Sequence, residues 1–317
     1  MSADSRRKVR LQAVTAEEAG QRLDNYLLRQ IPGVPKTRLY RAIRKGEVRV
    51  NKGRAKPEYR VQAADEVRIP PLSTPQLAAP ARPSKIWQGR IHDAIVMNTS
   101  DLLVINKPSG LAVHGGSGIR LGLIESLRSI FPEERYLELG HRLDRDTSGL
   151  VLIAKNARTL RELHSQLREG RVDKRYWAVV HGRWPAYRRV ASAPLAKRHT
   201  PSGERIVRVE ADGKPARTDF RVLERFHGAT LVEAKPISGR THQIRVHCQH
   251  SGHAILGDAK YQNDQACELA ENLGLKRLFL HAQAISFQLA GHTISLECPL
   301  GEDLKATLHG LRMKGQR

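Results

Sequence analysis

Three short stretches of the 317-residue chain crowd ionisable side chains closely enough to do chemistry. The first, His141-Arg142-Leu-Asp144-Arg-Asp146-Thr-Ser-Gly-Leu150, sets two carboxylates and two guanidiniums just ahead of the apolar run Val151 to Lys155. Two readings are open. One is a surface turn with local ion pairs; the other is a carboxylate kept ionised by arginine at a strand mouth, serving as nucleophile or base. The second stretch, Lys174-Arg-Tyr176, opens a strand whose alternation puts Lys174 and Tyr176 on one face. There an aromatic hydroxyl beside a cation could stack on a nucleobase, although a strand tyrosine is more often core. The third is Gly239-Arg240-Thr-His242-Gln-Ile-Arg245-Val-His247. Ile244 and Val246 alternate as in a strand, while Thr241 could cap a helix that Gly252 ends, and the helix is the expectation. His242, His247, His250 and His253 raise the question of a metal, but no acidic residue lies between Arg240 and Gly257. Cys248 alone is a poor substitute for the missing carboxylate, so no metal is expected.

Elements that could hold these clusters are visible in the hydropathy pattern. Leu102 to Lys107 is an apolar strand run stopped by Pro108 and Gly110, and Val151 to Lys155 is a second. Asn156 can cap a helix that turns Leu160, Leu163 and Leu167 inward and stops at Gly170. Tyr176 to Val180 and short runs near Arg221 to Leu223, Thr230 to Glu233, Ala284 to Leu289 and Ile294 to Glu297 add further strands. Strands outnumber helices without alternating with them, which predicts an α+β domain and not a doubly wound sheet. His114-Gly-Gly-Ser-Gly looks like a phosphate cradle but lacks the Lys-Ser/Thr of a P-loop and the dinucleotide fingerprint, so it reads as a turn.

Ahead of this domain sits a small basic module. Leu23, Tyr26 and Leu27 share a helical face, and the segment Lys36 to Lys45 spaces Leu39 and Ile43 by four while interleaving Arg38, Arg41, Arg44 and Lys45, then stops at Gly46. Between Lys36 and Arg60 there are ten Lys/Arg and two Glu. One-sided charge on a compact helix points to nucleic-acid contact; a merely solvated face is the alternative. Arg22-Leu-Asp-Asn-Tyr-Leu, the basic second helix and Gly46-Glu-Val-Arg-Val-Asn-Lys52 resemble the S4 RNA-binding domain. Five prolines between residues 70 and 83 read as a linker. The expected order is an N-terminal arm (1–18), an S4-like domain (19–69), a Pro-rich basic linker (70–90) and a catalytic domain (91–317).

Composition limits the partners. Lys and Arg number 54 against 32 Asp and Glu, a net charge of +22 that attracts polyanions. No apolar run is long enough to cross a membrane, and Met1-Ser-Ala-Asp-Ser-Arg-Arg has no signal core, so a soluble cytoplasmic protein is expected. Cys248, Cys267 and Cys298 read as reduced packing thiols.

Taken together, the three clusters closely resemble the motifs of the RluA-type pseudouridine synthases: the first their catalytic motif, Lys174-x-Tyr176 their second, the stretch from Gly239 to His247 their third. The resemblance spans nearly the whole chain. The Gly46 to Lys52 segment, the linker and the His114 loop look most like the C-type branch acting on 23S ribosomal RNA; the D type has His-Pro-Gly at that loop. One departure is Gln262, where the family often has glycine after Asp258-x-x-Tyr261.

The resemblance implies an S4 domain plus a large mixed, mainly antiparallel sheet, and isomerisation of several uridines near the peptidyl transferase centre. It implies no cofactor, no metal, and RNA or an assembly intermediate as partner, with a monomer as the default. It gives Asp144 as the nucleophile or key carboxylate at the sugar, with a C1′ adduct, a C6 adduct and a glycal all open. Arg245 would hold and charge Asp144, and Tyr176 would stack on the uracil and move a proton. Arg142 would fill the space left by the flipped base. Lys174, Arg240, His242, Arg38, Arg41, Arg44, Lys45 and Lys52 would contact RNA. The rivals are a catalytically dead RNA-binding or ribosome-assembly factor, a metal-dependent RNA hydrolase using Asp144 and Asp146, and a synthase with another RNA target.

Overall fold

The protein is described here from a computed structural model covering residues 9–16, 18–31, 33–72, 83–115, 121–200 and 205–314. The chain divides into two units, Met1–Ala81 and Arg82–Arg317, each with its own core.

In the first unit, β1 (Arg10–Ala13), α1 (Leu23–Gln30), α2 (Lys36–Arg44), β2 (Arg49–Val50) and β3 (Glu66–Ile69) follow one another, and the strands form a sheet in the order β1-β3-β2. Leu23, Tyr26 and Leu27 from α1 and Leu39, Ala42 and Ile43 from α2 are buried together with Val61, Val67 and Ile69. Their spacing leaves Arg41 and Arg44 exposed on the opposite face of α2, with Lys45 just beyond it. Beneath that helix the carboxylate of Asp24 is buried. Burial alone would raise its pKa, but hydrogen bonds from Arg22 (2.7 Å), Tyr40 (2.8 Å) and its neighbour's amide hold it below the usual carboxylate range.

Residues 1–18 are more than an arm, because Arg10–Ala13 pairs antiparallel with β3. Four residues with Leu11 turned to solvent are too few for alternation to show in the sequence. The expected linker is also shorter at its far end. Residues 73–82 lie outside the described residues, but Lys85–Asp93 forms α3, capped by the Ser84 hydroxyl and anchored by fully buried Ile91. Pro83 masked this helix in the sequence, although proline is well tolerated just ahead of a helix.

The second unit continues with β4 (Ile95–Asn98), β5 (Leu102–Lys107), α4 (Leu123–Ile130), β6 (Glu138–Leu139), β7 (Ser148–Ala154), α5 (Ala157–Arg168), β8 (Asp173–His181) and β9 (Val190–Ser192). A ribbon of β10 (Leu195–His199) and β11 (Arg205–Val209) follows, then β12 (Arg217–Phe226), β13 (Ala229–Pro236), α6 (Gln243–His250), α7 (Asp264–Asn272), β14 (Leu280–Leu289), β15 (His292–Glu297) and α8 (Glu302–Lys314). The main sheet runs β4-β5-β7-β14-β8-β13-β12-β9, with β6 on β7 and β15 on β14. Among the described strands only β7 and β14 pair in parallel, so the sheet is mixed but mainly antiparallel, within an α+β unit.

Both faces of its centre are covered. Leu103, Ile105, Val151, Ile153, Ala178 and Val180 enter one core, and Leu102, Val104, Leu150 and Leu152 enter a second with Leu163 of α5 and Phe287. This is why β5 and β7 read as continuous apolar runs. Asn156 caps α5 by accepting the Thr159 amide, and Gly170 follows in the left-handed region. Gly149, where β7 turns out of the first cluster, has φ +112°, and a Cβ there would lie 2.4 Å from the Ala282 carbonyl oxygen. Only glycine lets β7 and β14 approach at that point.

Candidate active site

Asp144 sits in the loop leading into β7, and two cavities share it. One, of about 660 Å³, is lined by His114, Arg145, His164, Arg245 and Lys260 among others; the other, of about 280 Å³, by Lys174, Tyr176, Arg240, Ile244 and Leu280. His141, Arg142, Leu143, Asp144 and His242 line both. The three sequence clusters therefore converge although 88 residues lie between the first and the third. Arg142 is exposed, Asp144 partly buried, and Tyr176 buried on the central strand β8.

The two readings of the first cluster divide between its carboxylates. Arg145 and Asp146 form a local exposed ion pair at 3.0 Å, the bland reading. Asp144 turns the other way, toward α6. Its loop is held from below by Lys107, fully buried at the end of β5, whose ammonium donates to the carbonyls of Pro108, Leu111 and Arg145 at 2.9 to 3.0 Å. Ser109 adds a hydrogen bond to the Asp146 carbonyl and Gly110 one to that of Arg145. These contacts clasp residues 108–111 to residues 144–147.

The third cluster is a helix from Gln243 onward, but its N-cap is His242, not Thr241. His242 has φ +53° and ψ +19°, a left-handed conformation that a non-glycine residue adopts at some cost and that clusters at functional sites. Gln243 to Cys248 are all buried, so the helix has no polar face to reveal its period, and this is the source of the ambiguity in sequence. Gln243 completes four hydrogen bonds, accepting from the Ser238 hydroxyl and the Arg240 amide and donating to the Arg217 carbonyl and the Thr218 hydroxyl. It thereby fixes the loop that carries Arg240. His247 is a packing residue bonded to Thr218 and Ala193, while His250 is exposed.

Arg245 differs from the expectation. Its principal partner is fully buried Asp258, which accepts from Nε and Nη2 at 2.7 and 2.6 Å; Asp144 stands 3.9 Å from its Nη1. Burial opposes the guanidinium charge, but the Asp258 bonds and the field of Asp144 raise its pKa above the ordinary value. His242 presents Nε2 at 3.9 Å to the same Asp144 oxygen, Oδ2. Its other ring nitrogen meets the Tyr261 hydroxyl at 2.7 Å, and that hydroxyl accepts the Val207 amide of β11 at 2.9 Å. Burial pulls the His242 pKa down, against the attraction of Asp144, so the ring is neutral near pH 7.

Sequence reasoning gave no role to Asp258, Tyr261 or Lys107. The available signal for the first was its place as the first acid after a basic stretch free of acids. Gly257 ahead of it has φ +71°, and a Cβ would lie 2.1 Å from the Arg277 carbonyl oxygen. Gln262, the departure from the family pattern, keeps a non-left-handed backbone and donates its amide to the Asp258 carbonyl at 3.0 Å, closing the turn.

Around the second cavity, burial and the Asp144 charge push the Tyr176 phenol above its usual pKa, so it stays protonated. Burial lowers that of Lys174. His141 accepts the Leu152 amide through Nε2 and is pushed down to about 4 by burial and Lys174, hence neutral. Of the His114 loop, residues 116–118 lie outside the described residues, but the Gly115 and Gly122 amides are taken by the Glu125 carboxylate, as a capping turn and not a phosphate cradle would have them. Among the described residues no group of three or more His, Cys, Asp or Glu is placed to hold a metal.

Asp144 thus stands at the junction of two cavities, with an aromatic hydroxyl in one of them and cations around both, and comparison with known proteins gives the class. Residues 101–250 match the RNA pseudouridylate synthase family and residues 21–67 the S4 domain. Relatives at about half identity extend the match over nearly the full length, and the chain belongs to the RluA-type RNA pseudouridine synthase family. "Ribosomal large subunit pseudouridine synthase C" of Pasteurella multocida (strain Pm70) is 51% identical over 307 residues, 96% of this chain and 94% of that protein. The protein of the same name from Escherichia coli (strain K12) is 50% identical over 309 residues, covering 96% and 97%. Among solved structures, human RNA Pseudouridylate Synthase Domain Containing 4 aligns with 72% of this chain and 96% of its own at 28% identity and a TM-score of 0.59.

Proposed function

We propose that this pseudouridine synthase acts on uridines of 23S ribosomal RNA, with Asp144 as the reacting carboxylate. The substrate is supported by the full-length relatives named for the large ribosomal subunit, by the S4 domain and by the net charge of +22. The observation that carries the roles is the position of Asp144 between a pocket holding Tyr176 and the donors His242 and Arg245. The target uridine leaves its stack and enters the smaller cavity, and Arg142 at the mouth fills the vacated space. Tyr176 stacks on the uracil beside Lys174, and Arg240 holds the flanking backbone. Asp144 acts at the sugar as the N1–C1′ bond breaks. The uracil turns, C5 joins C1′, the C5 proton passes to solvent, and N1 ends protonated, so the change is an isomerisation. Arg41, Arg44, Lys45 and Lys52, with Arg38 beside them, bring the RNA to the first unit. The protein works in the cytoplasm, where ribosomal RNA is assembled, and as a monomer.

Loss of the C5 proton supplies the test. Ribosomal RNA tritiated at uridine C5 should release label with the wild type and stay full length, and Asp144→Asn, equal in size, should release none in a single turnover. Release by Asp144→Asn at the wild-type rate would refute its role.

A further inference from the structure

The two nitrogens that face Asp144, Nη1 of Arg245 and Nε2 of His242, belong to α6 and its cap, and both side chains are held by one turn. Asp258 takes Nε and Nη2 of Arg245 in a bidentate pair, Oδ2 accepting from Nε and Oδ1 from Nη2, and Oδ1 also accepts the Lys260 and Tyr261 amides at 3.0 and 3.3 Å. The fork leaves only Nη1 to face Asp144. Arg245 lies 4.9 Å over the Tyr261 ring, which limits its tilt.

Tyr261 sets the second donor by proton accounting. Its hydroxyl already accepts the Val207 N–H and owns one proton. A neutral imidazole has one N–H, and a carboxylate oxygen facing Nε2 favours the tautomer that carries it there. Nδ1 is then an acceptor, and the Tyr261 proton is the donor it requires. The charged groups facing the ring pull against one another: Asp144 from the loop and Asp258 from the turn favour its protonation, while burial, Arg245 from α6 and Lys260 from the turn oppose it and keep it to a single proton.

We propose that the turn 258–261 is the positioning element of the active site, Asp258 orienting the Arg245 fork and Tyr261 selecting the Nε2–H tautomer of His242, so that both donors point at Oδ2 of Asp144. The two gaps of 3.9 Å close when RNA fills the cavities, as catalytic hydrogen bonds often tighten only in the complex. This rests on the assignment of Asp144 as the reacting carboxylate, but its structural half does not need activity to be read.

The test uses the full chain labelled with 15N-histidine. His242, assigned by the signal missing from His242→Gln, should show its N–H at Nε2 and a bare Nδ1 near pH 7.5, and Tyr261→Phe should redistribute the proton. An Nδ1–H in the wild type, or an unchanged tautomer in Tyr261→Phe, overturns the proposal whatever the enzyme does. In single-turnover tritium release at saturating RNA, Tyr261→Phe should slow the rate about tenfold, the weight of one hydrogen bond to a charged site, with RNA affinity within about twofold. Asp258→Asn should slow it more, and Asp258→Glu should recover part of the loss, a rescue that a mere packing role would not give. Equal losses of rate and affinity, or a wild-type rate in Tyr261→Phe, overturn it. A wild type that releases no tritium refutes the synthase assignment instead and leaves the tautomer result standing.

Discussion

At the scale of single residues, burial makes some ionisable groups struts whose proton state the fold sets. His281 is the clearest strut. It is 1% exposed, joins the Ser148 hydroxyl at 2.9 Å and the Cys298 carbonyl at 3.4 Å, and is pushed down to about 4, first by burial. With an unfolded value near 6.5, the unfolded chain binds the proton that the folded chain refuses. The stability contributed by neutral His281 is therefore complete above about pH 6.5 and is lost as pH falls toward about 4, by a total of order 3 kcal/mol. Melting temperatures measured across that window should fall with pH, and His281→Gln should fall less steeply. Equal slopes would show that other groups govern the acid limb. His141, lowered for the same reason, adds a second increment in the same direction.

Elements tell a different story, because the loop that carries Asp144 is held by a lysine bonded to three carbonyl oxygens. Lys107→Met keeps the length and the apolar stem but leaves the Pro108, Leu111 and Arg145 carbonyls without their donor inside the fold. The expected loss is about 3 kcal/mol or more. Arg145→Ala, which removes an exposed pair, should cost under about 1 kcal/mol. Urea midpoints of the two variants decide the matter, and comparable values would remove Lys107 from its structural role. The same contrast explains what was legible in sequence. The helix α5 was legible because it is amphipathic between an Asn cap and a Gly stop, and β5 and β7 because both their faces are apolar. The strands β10 and β11 were not, since their outward residues are basic and polar along most of their length. The three motifs were legible by residue type, but the partner of Arg245 was not. Asp258 reaches it through a turn whose shape depends on Gly257, and no period connects positions 13 apart across such a turn.

For the molecule as a whole, the positive charge is found in both units. In the second unit the cations line the cavities beside Asp144. In the first, Arg41 and Arg44 on α2, Lys45 just beyond it and Lys52 in the turn after β2 are exposed, while Arg38 is half-buried and pairs with Glu47 at 3.5 Å. Asn51 and Lys52 both take a left-handed backbone in that turn. If these four side chains each neutralise one phosphate, each releases condensed counterions, and the logarithm of RNA affinity should depend on the logarithm of salt with a slope shallower by about 3 when all four become alanine. Arg38→Ala should change the slope least, because its charge is already partly answered by Glu47. The single-turnover rate at saturating RNA should hold, since the residues that line the cavities beside Asp144 all belong to the second unit. Binding measured between low and moderate salt separates the possibilities. A slope shallower by about 3 with the rate intact gives the first unit the capture of substrate and the second the reaction. An unchanged slope would mean that the polyanion is met by the second unit alone, and a lost rate would mean that the basic face of α2 also shapes the RNA presented to Asp144.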